Sequence, residues 1–115
     1  MFRYAFAAAA LSLAAGPVLA QDGAALFNMQ CKMCHQAAST SLAPALAGVA
    51  GAKIAARPDF TYSPALKARE GTWTDANLDA FLKAPMTFAP GTRMPVSVPA
   101  DDARAAIIAY LHTLK

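Results

Sequence analysis

Two cysteines occur in the 115 residues, three positions apart and followed at once by one of the two histidines: Cys31-Lys32-Met33-Cys34-His35. A disulfide between them would close only a tiny loop, which removes little entropy from the unfolded chain, and would leave the histidine unexplained. A structural zinc site needs four ligands, and the only other imidazole is His112. A thioredoxin-like redox pair is expected beside a βαβ unit, yet no stretch makes a convincing strand with period-two alternation.

One chemistry uses all three side chains. Thiols three positions apart share a face near a helix end, so Cys31 and Cys34 can add to the two vinyl groups of one porphyrin. His35 then falls where its imidazole can bind the iron from that side. The motif thus predicts covalent attachment of haem c. Its attachment takes place outside the cytoplasm, and the first twenty residues agree: 16 are apolar, Arg3 is the one charge, and Gly16-Pro17 breaks the run ahead of Val18-Leu19-Ala20. This pattern predicts a secretory signal peptide over 1–20, cleaved after Ala20, and a single domain over 21–115. The apolar run is shorter than the roughly 20 residues a membrane-spanning helix needs, which argues against an uncleaved anchor, and nothing later in the sequence could span a membrane, so no stable membrane insertion is expected after cleavage.

Beyond residue 20 the chain carries nine bases and seven acids, scattered rather than clustered. Nucleic acid is therefore not an expected partner, because phosphate binding favours Lys and Arg gathered on one face. A domain of this size builds only a modest core and is helped by an added group.

An iron held by His35 has a sixth position to fill, for which Met29, Met86, Met94 and His112 are the donors outside the motif. Met29 is too near in sequence to reach the far face of a porphyrin. His112 adjoins the apolar series Ile107, Tyr110, Leu111 and Leu114, which turns it toward solvent on a helix. Spacing does not choose between Met86 and Met94, and either methionine also serves as core filler.

An ordered series of residues resembles the class I c-type cytochromes, in particular the mitochondrial cytochrome c and bacterial cytochrome c2 group. Gly23 and Phe27 match its N-terminal helix, Pro44-Ala45-Leu46-Ala47-Gly48 its P-x-L-x-G segment, Phe60-Thr61-Tyr62-Ser63 its propionate loop and Trp73 its propionate-bonding indole. Pro90-Gly91-Thr92-Arg93-Met94 resembles the P-G-T-K-M loop whose methionine ligates iron. The resemblance implies an all-α class I cytochrome c fold, about four helices wrapped around one covalent haem, and it selects Met94 over Met86. It further implies that the Pro44 carbonyl orients His35, that Tyr62 and Trp73 bond a buried propionate, and that Thr92 helps hold the methionine loop. Ala52 stands where the family commonly has a propionate-side Arg, for which Lys53 or Arg57 is the available substitute. Phe81 replaces a frequent Tyr near the ligand sulfur, and Val96 replaces an aromatic at the haem edge.

Local signals agree with this placement. A first helix is expected over 22–34, with Gly23, Leu26, Phe27, Gln30 and Cys31 on one face. Ser63-Pro64 begins a short helix that Gly71 stops near Glu70. Thr74 caps a third with Asp75 in its first turn and Leu78, Phe81 and Leu82 buried. Pro85 ends it, and three prolines make the stretch 86–99 a stiff loop. The last helix, about 100–114, should turn Ile107, Tyr110, Leu111 and Leu114 inward and cross the first at Gly23.

A His/Met-ligated iron has no position free for oxygen or peroxide, so the expected function is a periplasmic monomer carrying single electrons rather than an enzyme. Its expected partners are redox proteins: a membrane oxidoreductase, an oxidase, a reaction centre or a dehydrogenase. A labile Met94 would instead allow a small haem peroxidase or gas-binding domain. The sparse cations Lys32, Lys53, Lys83 and Arg93 leave room for a dedicated electron-transfer subunit of a periplasmic dehydrogenase or oxidase.

Overall fold

A computed structural model describes residues 21–115, and the expected leader over 1–20 lies outside the described residues. Five helices follow in order: α1 (Gly23–Gln30), α2 (Pro64–Lys67), α3 (Asp75–Lys83), α4 (Pro85–Phe88) and α5 (Asp101–Leu111). Among the described residues no strand forms, only an antiparallel bridge between Lys53 and Thr72.

Helix starts lie where the capping residues put them. Side-chain oxygens of Asp22, Ser63 and Thr74 accept from the amides of Ala25 (3.2 Å), Leu66 (3.3 Å) and Asn77 (3.1 Å), each satisfying an orphan donor of a first turn. Helix ends fall earlier than the sequence predicts. The amides of Cys31 and Lys32 share the Phe27 carbonyl at 2.8 and 3.0 Å, which widens the last turn of α1 and stops it at Gln30 rather than Cys34. The cysteine motif thus occupies tight turns after the helix. In α2 the Arg69 amide bonds the Leu66 carbonyl three residues back, at 3.1 Å. That closes the helix before Glu70. The amides of Thr113 and Leu114 likewise reach three residues back, so α5 stops at Leu111 and its end tightens.

Of the five helices, against about four expected, α4 is the one the sequence reading did not name. Pro85 does end α3, but it also opens α4 from the first helical position, where its missing N–H costs nothing. Phe88 is thereby swung into the core.

The structural centre is the crossing of α1 and α5. A Cβ on Gly23 would lie 2.1 Å from the Ala106 carbonyl oxygen, so only glycine permits this approach. Phe27 packs on Tyr110 with ring centroids 5.1 Å apart. Below them α5 buries Ala103, Ile107, Ile108 and Leu111, while Tyr110 and Leu114 are only half-buried at the rim. Leu78 and Leu82 of α3 join the same core.

Arg104 is buried on this inward side with 2% exposure, which the sequence pattern did not anticipate. Taking a charge out of water is costly unless it is paired and fully bonded. Its guanidinium donates to Asp79 at 2.7 Å, to the Val98 and Pro99 carbonyls at 2.8 and 2.9 Å, and to Asp101. One side chain thus ties α5 to α3 and to the end of the proline-rich loop.

Candidate functional site

A cavity of about 270 Å³ opens between α1, α3, α5 and the two long loops. That far exceeds the ~10–15 Å³ a single buried water occupies, and interiors are otherwise close-packed. Cys31 and Cys34 both line it, with His35 and Met94. Both thiols are free, Cys31 buried and Cys34 exposed, and burial pushes the Cys31 thiol above its ordinary pKa.

The loop from 39 to 48 supports His35. Its Nδ1 lies 2.8 Å from the Pro44 carbonyl oxygen, which can only accept, so Nδ1 carries the proton and Nε2 offers its lone pair. Burial pushes the ring below its ordinary pKa, and the Pro44 bond partly opposes this. The imidazole is thus neutral and ready to be a ligand.

Among the four donors outside the motif, Met94 lines the cavity. Met29 and Met86 are 77% and 57% exposed, and His112 is turned outward onto Asp75 at 2.6 Å. Met94 follows a turn closed by the Thr92 amide on the Ala89 carbonyl at 2.9 Å. Pro90 precedes Gly91, whose φ is +90°, the arrangement that favours Pro then Gly at the centre of a type II turn. Thr92 lines the cavity, and among the described residues its amide rather than its hydroxyl makes the loop's bond. The loop is held from both sides. Arg93 donates to the Thr61 carbonyl and lies over the Phe60 ring, 5.6 Å from its centroid, while the Val98 amide bonds the Leu82 carbonyl at 2.8 Å. The sequence named Arg93 only as a surface cation; its latch across to Thr61 is a tertiary contact that no local pattern records.

Tyr62, Ser63 and Trp73 line another stretch of wall. Trp73 is buried, stacked on Phe88 at 5.6 Å and tilted against Phe81 at 5.2 Å. No described group accepts from its indole, and no buried side-chain nitrogen or oxygen among the described residues is left without a partner. Its N–H is therefore accessible, on a ring that lines the cavity. Burial pushes the Tyr62 hydroxyl above its ordinary pKa, offset in part by Arg57, so it stays a donor. Phe88 is the aromatic that sequence reasoning missed; Arg69 covers its other side, 3.9 Å from the ring centroid. The apolar residue between two prolines was its one local signal.

The donor set fits a haem. Two thiols stand beside an oriented imidazole, a thioether lines the same apolar space, and O–H and N–H donors await carboxylates. A bare metal ion fits poorly, since no group of three His, Cys, Asp or Glu among the described residues could hold one.

Comparison with known proteins agrees. The family model for cytochrome c matches residues 20–115. The chain is 41% identical to the cytochrome c-type cyt cy of Rhodobacter capsulatus over 97 residues, 83% of this chain and 49% of that protein, so it spans about half of that relative's length. It is 41% identical to the cytochrome c2 of Rhodomicrobium vannielii over 88 residues, 73% of this chain and 70% of that protein. The solved structure of cytochrome cH from Methylobacterium extorquens superposes with a TM-score of 0.73 at 35% identity, covering 79% of this chain and 94% of that one.

Proposed function

The chain belongs to the cytochrome c family, as an all-α class I cytochrome whose cofactor is one covalent haem c with its iron, and from this we propose that His35 and Met94 hold that iron for single-electron transfer between redox proteins. The observation that carries the reading is that both side chains line one cavity with both thiols. Bound there, the haem supplies a one-electron couple between ferrous and ferric iron.

The chain's own residues do the rest. Cys31 and Cys34 hold the group through thioether bonds, and Pro44 keeps His35 turned with Nε2 free. Tyr62 and Trp73 offer hydrogen bonds to carboxylates, and Thr92 closes the turn that presents Met94. The soft thioether and the apolar wall both favour the less charged ferrous form. With His35 and Met94 both given to the iron, the group would supply electron transfer without an open position for oxygen or peroxide, which sets this reading apart from a small peroxidase or gas-binding domain.

In the same reading residues 1–20 direct export, and the remaining domain works in the periplasm as a monomer. Among the described residues no helix is long and apolar enough to cross a membrane. Its partners are redox proteins, a membrane oxidoreductase, oxidase, reaction centre or dehydrogenase.

The test is visible spectroscopy of haem-loaded protein. Ferric wild type is expected to show a sulfur–iron charge-transfer band that Met94→Ala lacks, and to bind cyanide far more slowly than the variant. A wild type without the band, or with equally fast cyanide binding, would overturn the His/Met assignment. A mass corresponding to residues 21–115 plus one haem tests the export reading separately.

A further inference from the structure

Among the described residues Arg104 is the one buried charge, and it does not line the haem cavity. Hydrophobic residues of similar volume in place of a buried ion pair are often neutral or stabilising, so packing alone does not explain a guanidinium at this position. Its contacts do. Nη1 gives its two hydrogens to successive carbonyls, Val98 at 2.8 Å and Pro99 at 2.9 Å. Asp79 holds Nε at 2.7 Å and Asp101 accepts from Nη2, so the plane of the fork is fixed where it meets the loop.

Both backbone groups of Val98 are thereby used. Its amide donates to the Leu82 carbonyl of α3 at 2.8 Å, its carbonyl accepts from Arg104 of α5, and Arg104 is tied back to α3 through Asp79, one turn before Leu82. These three bonds close a ring that joins two helices to one buried residue of the methionine loop.

Met94 lies four residues before Val98. Among the described residues, none of 94–97 makes a backbone hydrogen bond. On one side the thioether is bounded by the turn from Ala89 to Thr92 and by the Arg93 latch. On the other side the first fixed point is Val98. Pro95 stiffens the stretch between them, since its ring locks φ, so the position of Val98 is carried to Met94 with little slack. A metal–ligand distance tolerates only about 0.2 Å.

We propose that Arg104 is a positioning residue for the sixth ligand: by clamping Val98 and Pro99 it holds the Met94 thioether at the cavity and opposes its displacement by other ligands. The inference rests on the His/Met reading above. Coupling between two sites is reciprocal in free energy, so ligation by Met94 in turn holds the Val98 anchor closed.

The experiment is equilibrium cyanide titration of ferric haem-loaded wild type, Arg104→Lys, Arg104→Met and Ile108→Ala, with urea unfolding of each. Cyanide displaces the thioether, so its affinity reads how firmly Met94 is held. Lysine keeps the charge but is a single point that cannot span two carbonyls as the planar fork does. Cyanide affinity should rise about tenfold in Arg104→Lys, as for one lost hydrogen bond to a charged group, and about thirtyfold or more in Arg104→Met, which loses both. Ile108 is buried on the same helix and does not line the cavity. Its truncation should lower unfolding stability and change cyanide affinity by less than about twofold, as expected for an independent site. Wild-type affinity in both Arg104 variants, or a rise in Ile108→Ala as large as theirs, would overturn the proposal. If neither Arg104 variant yields haem-loaded protein, hydrogen exchange decides in wild type. The Val98 amide should exchange about tenfold faster in the cyanide adduct than in the free ferric protein, by the reciprocity of the coupling, and equal rates would overturn the proposal. A wild type without the charge-transfer band removes the Met94 assignment itself, whereas a normal band with unmoved cyanide affinities removes only the role of Arg104.

Discussion

Where α1 crosses α5, position is enforced by atoms in direct contact: a glycine against a carbonyl oxygen, and Phe27 against Tyr110. The opposite half, built from the loops over 39–62 and 89–98, forms no helix. It is held by single backbone bonds to other segments, the Gly51 amide on the Trp73 carbonyl, the Trp73 amide on the Ala52 carbonyl, the Ile54 amide on the Gly71 carbonyl and the Val98 amide on the Leu82 carbonyl, and by side chains on carbonyls, Arg93 on Thr61, Arg57 on Ala47 and Arg104 on Val98 and Pro99. The helix crossing resists distortion through packing, whereas the loops depend on a few polar anchors and on the haem they surround. A chain of this size thus assigns stability mainly to one half and ligand geometry to the other.

That division breaks most visibly at Gly23. A Gly23→Val side chain would begin 2.1 Å from the Ala106 oxygen and 2.7 Å from its carbonyl carbon, and the obstacle is backbone. Overpacking commonly costs ~1–3 kcal/mol and occasionally more, so a loss of about 4 kcal/mol is expected in urea unfolding of the ferric haem-loaded protein. The charge-transfer band should persist at room temperature, because the crossing does not touch Met94. Loss of the band at unchanged unfolding free energy would contradict the division.

Phe88→Ala tests the other half. Phe88 is 7% exposed and stacks on Trp73. Its removal should cost about 3 kcal/mol, as for other buried aromatic truncations. Here the spectrum should change as well, since α4 leads directly into the methionine loop. A weakened charge-transfer band and faster cyanide binding are expected. An unchanged spectrum would show that the loop keeps its shape without the aromatic beneath it.

The two halves were also unequally legible in the sequence. The α1–α5 crossing follows from periodicity and one glycine, and the starts of α2 and α3 follow from Ser63-Pro64 and Thr74, because caps are local physics. The cysteine motif is local too, and it located the site by itself. What the sequence did not disclose is non-local or depends on tightened turns. Arg104 reads as an ordinary surface cation in an amphipathic helix until Asp79, 25 residues earlier, is brought to it. α4 was hidden because prolines argue against helix, although Pro85 stands in the one helical position that tolerates it. Met94 could not be separated from Met86 by spacing. The family resemblance selected it, and the structure places Met94 at the cavity and Met86 in solvent.

Thr74→Ala sharpens the comparison from the helical side. Its hydroxyl satisfies the Asn77 amide at 3.1 Å, and loss of such a cap costs about 1 kcal/mol. The expected result is a small drop in unfolding free energy with no change in spectrum. A change in cyanide binding rate would mean that the start of α3 also sets the position of Trp73, one residue before the cap.

The smallest effect belongs to the loop side and depends on pH. Arg57 beside it, and then the Ser39 hydroxyl, hold the Asp59 carboxyl below the usual carboxylate range despite some desolvation. The native state therefore binds that proton less readily than the unfolded chain does, so stability rises with pH across this window. The contribution is fully present above the ordinary Asp pKa of about 3.9 and disappears as pH falls through the depressed native value. Asp59→Asn lacks it at every pH. The gap in Tm between wild type and Asp59→Asn should accordingly be widest near neutrality and narrow progressively below about pH 4, as read by thermal unfolding of the ferric protein across an acid series. A gap that stays constant with pH would mean that Asp59 braces Arg57 by shape and hydrogen bonding alone, and that its charge adds nothing to the stability of the wall.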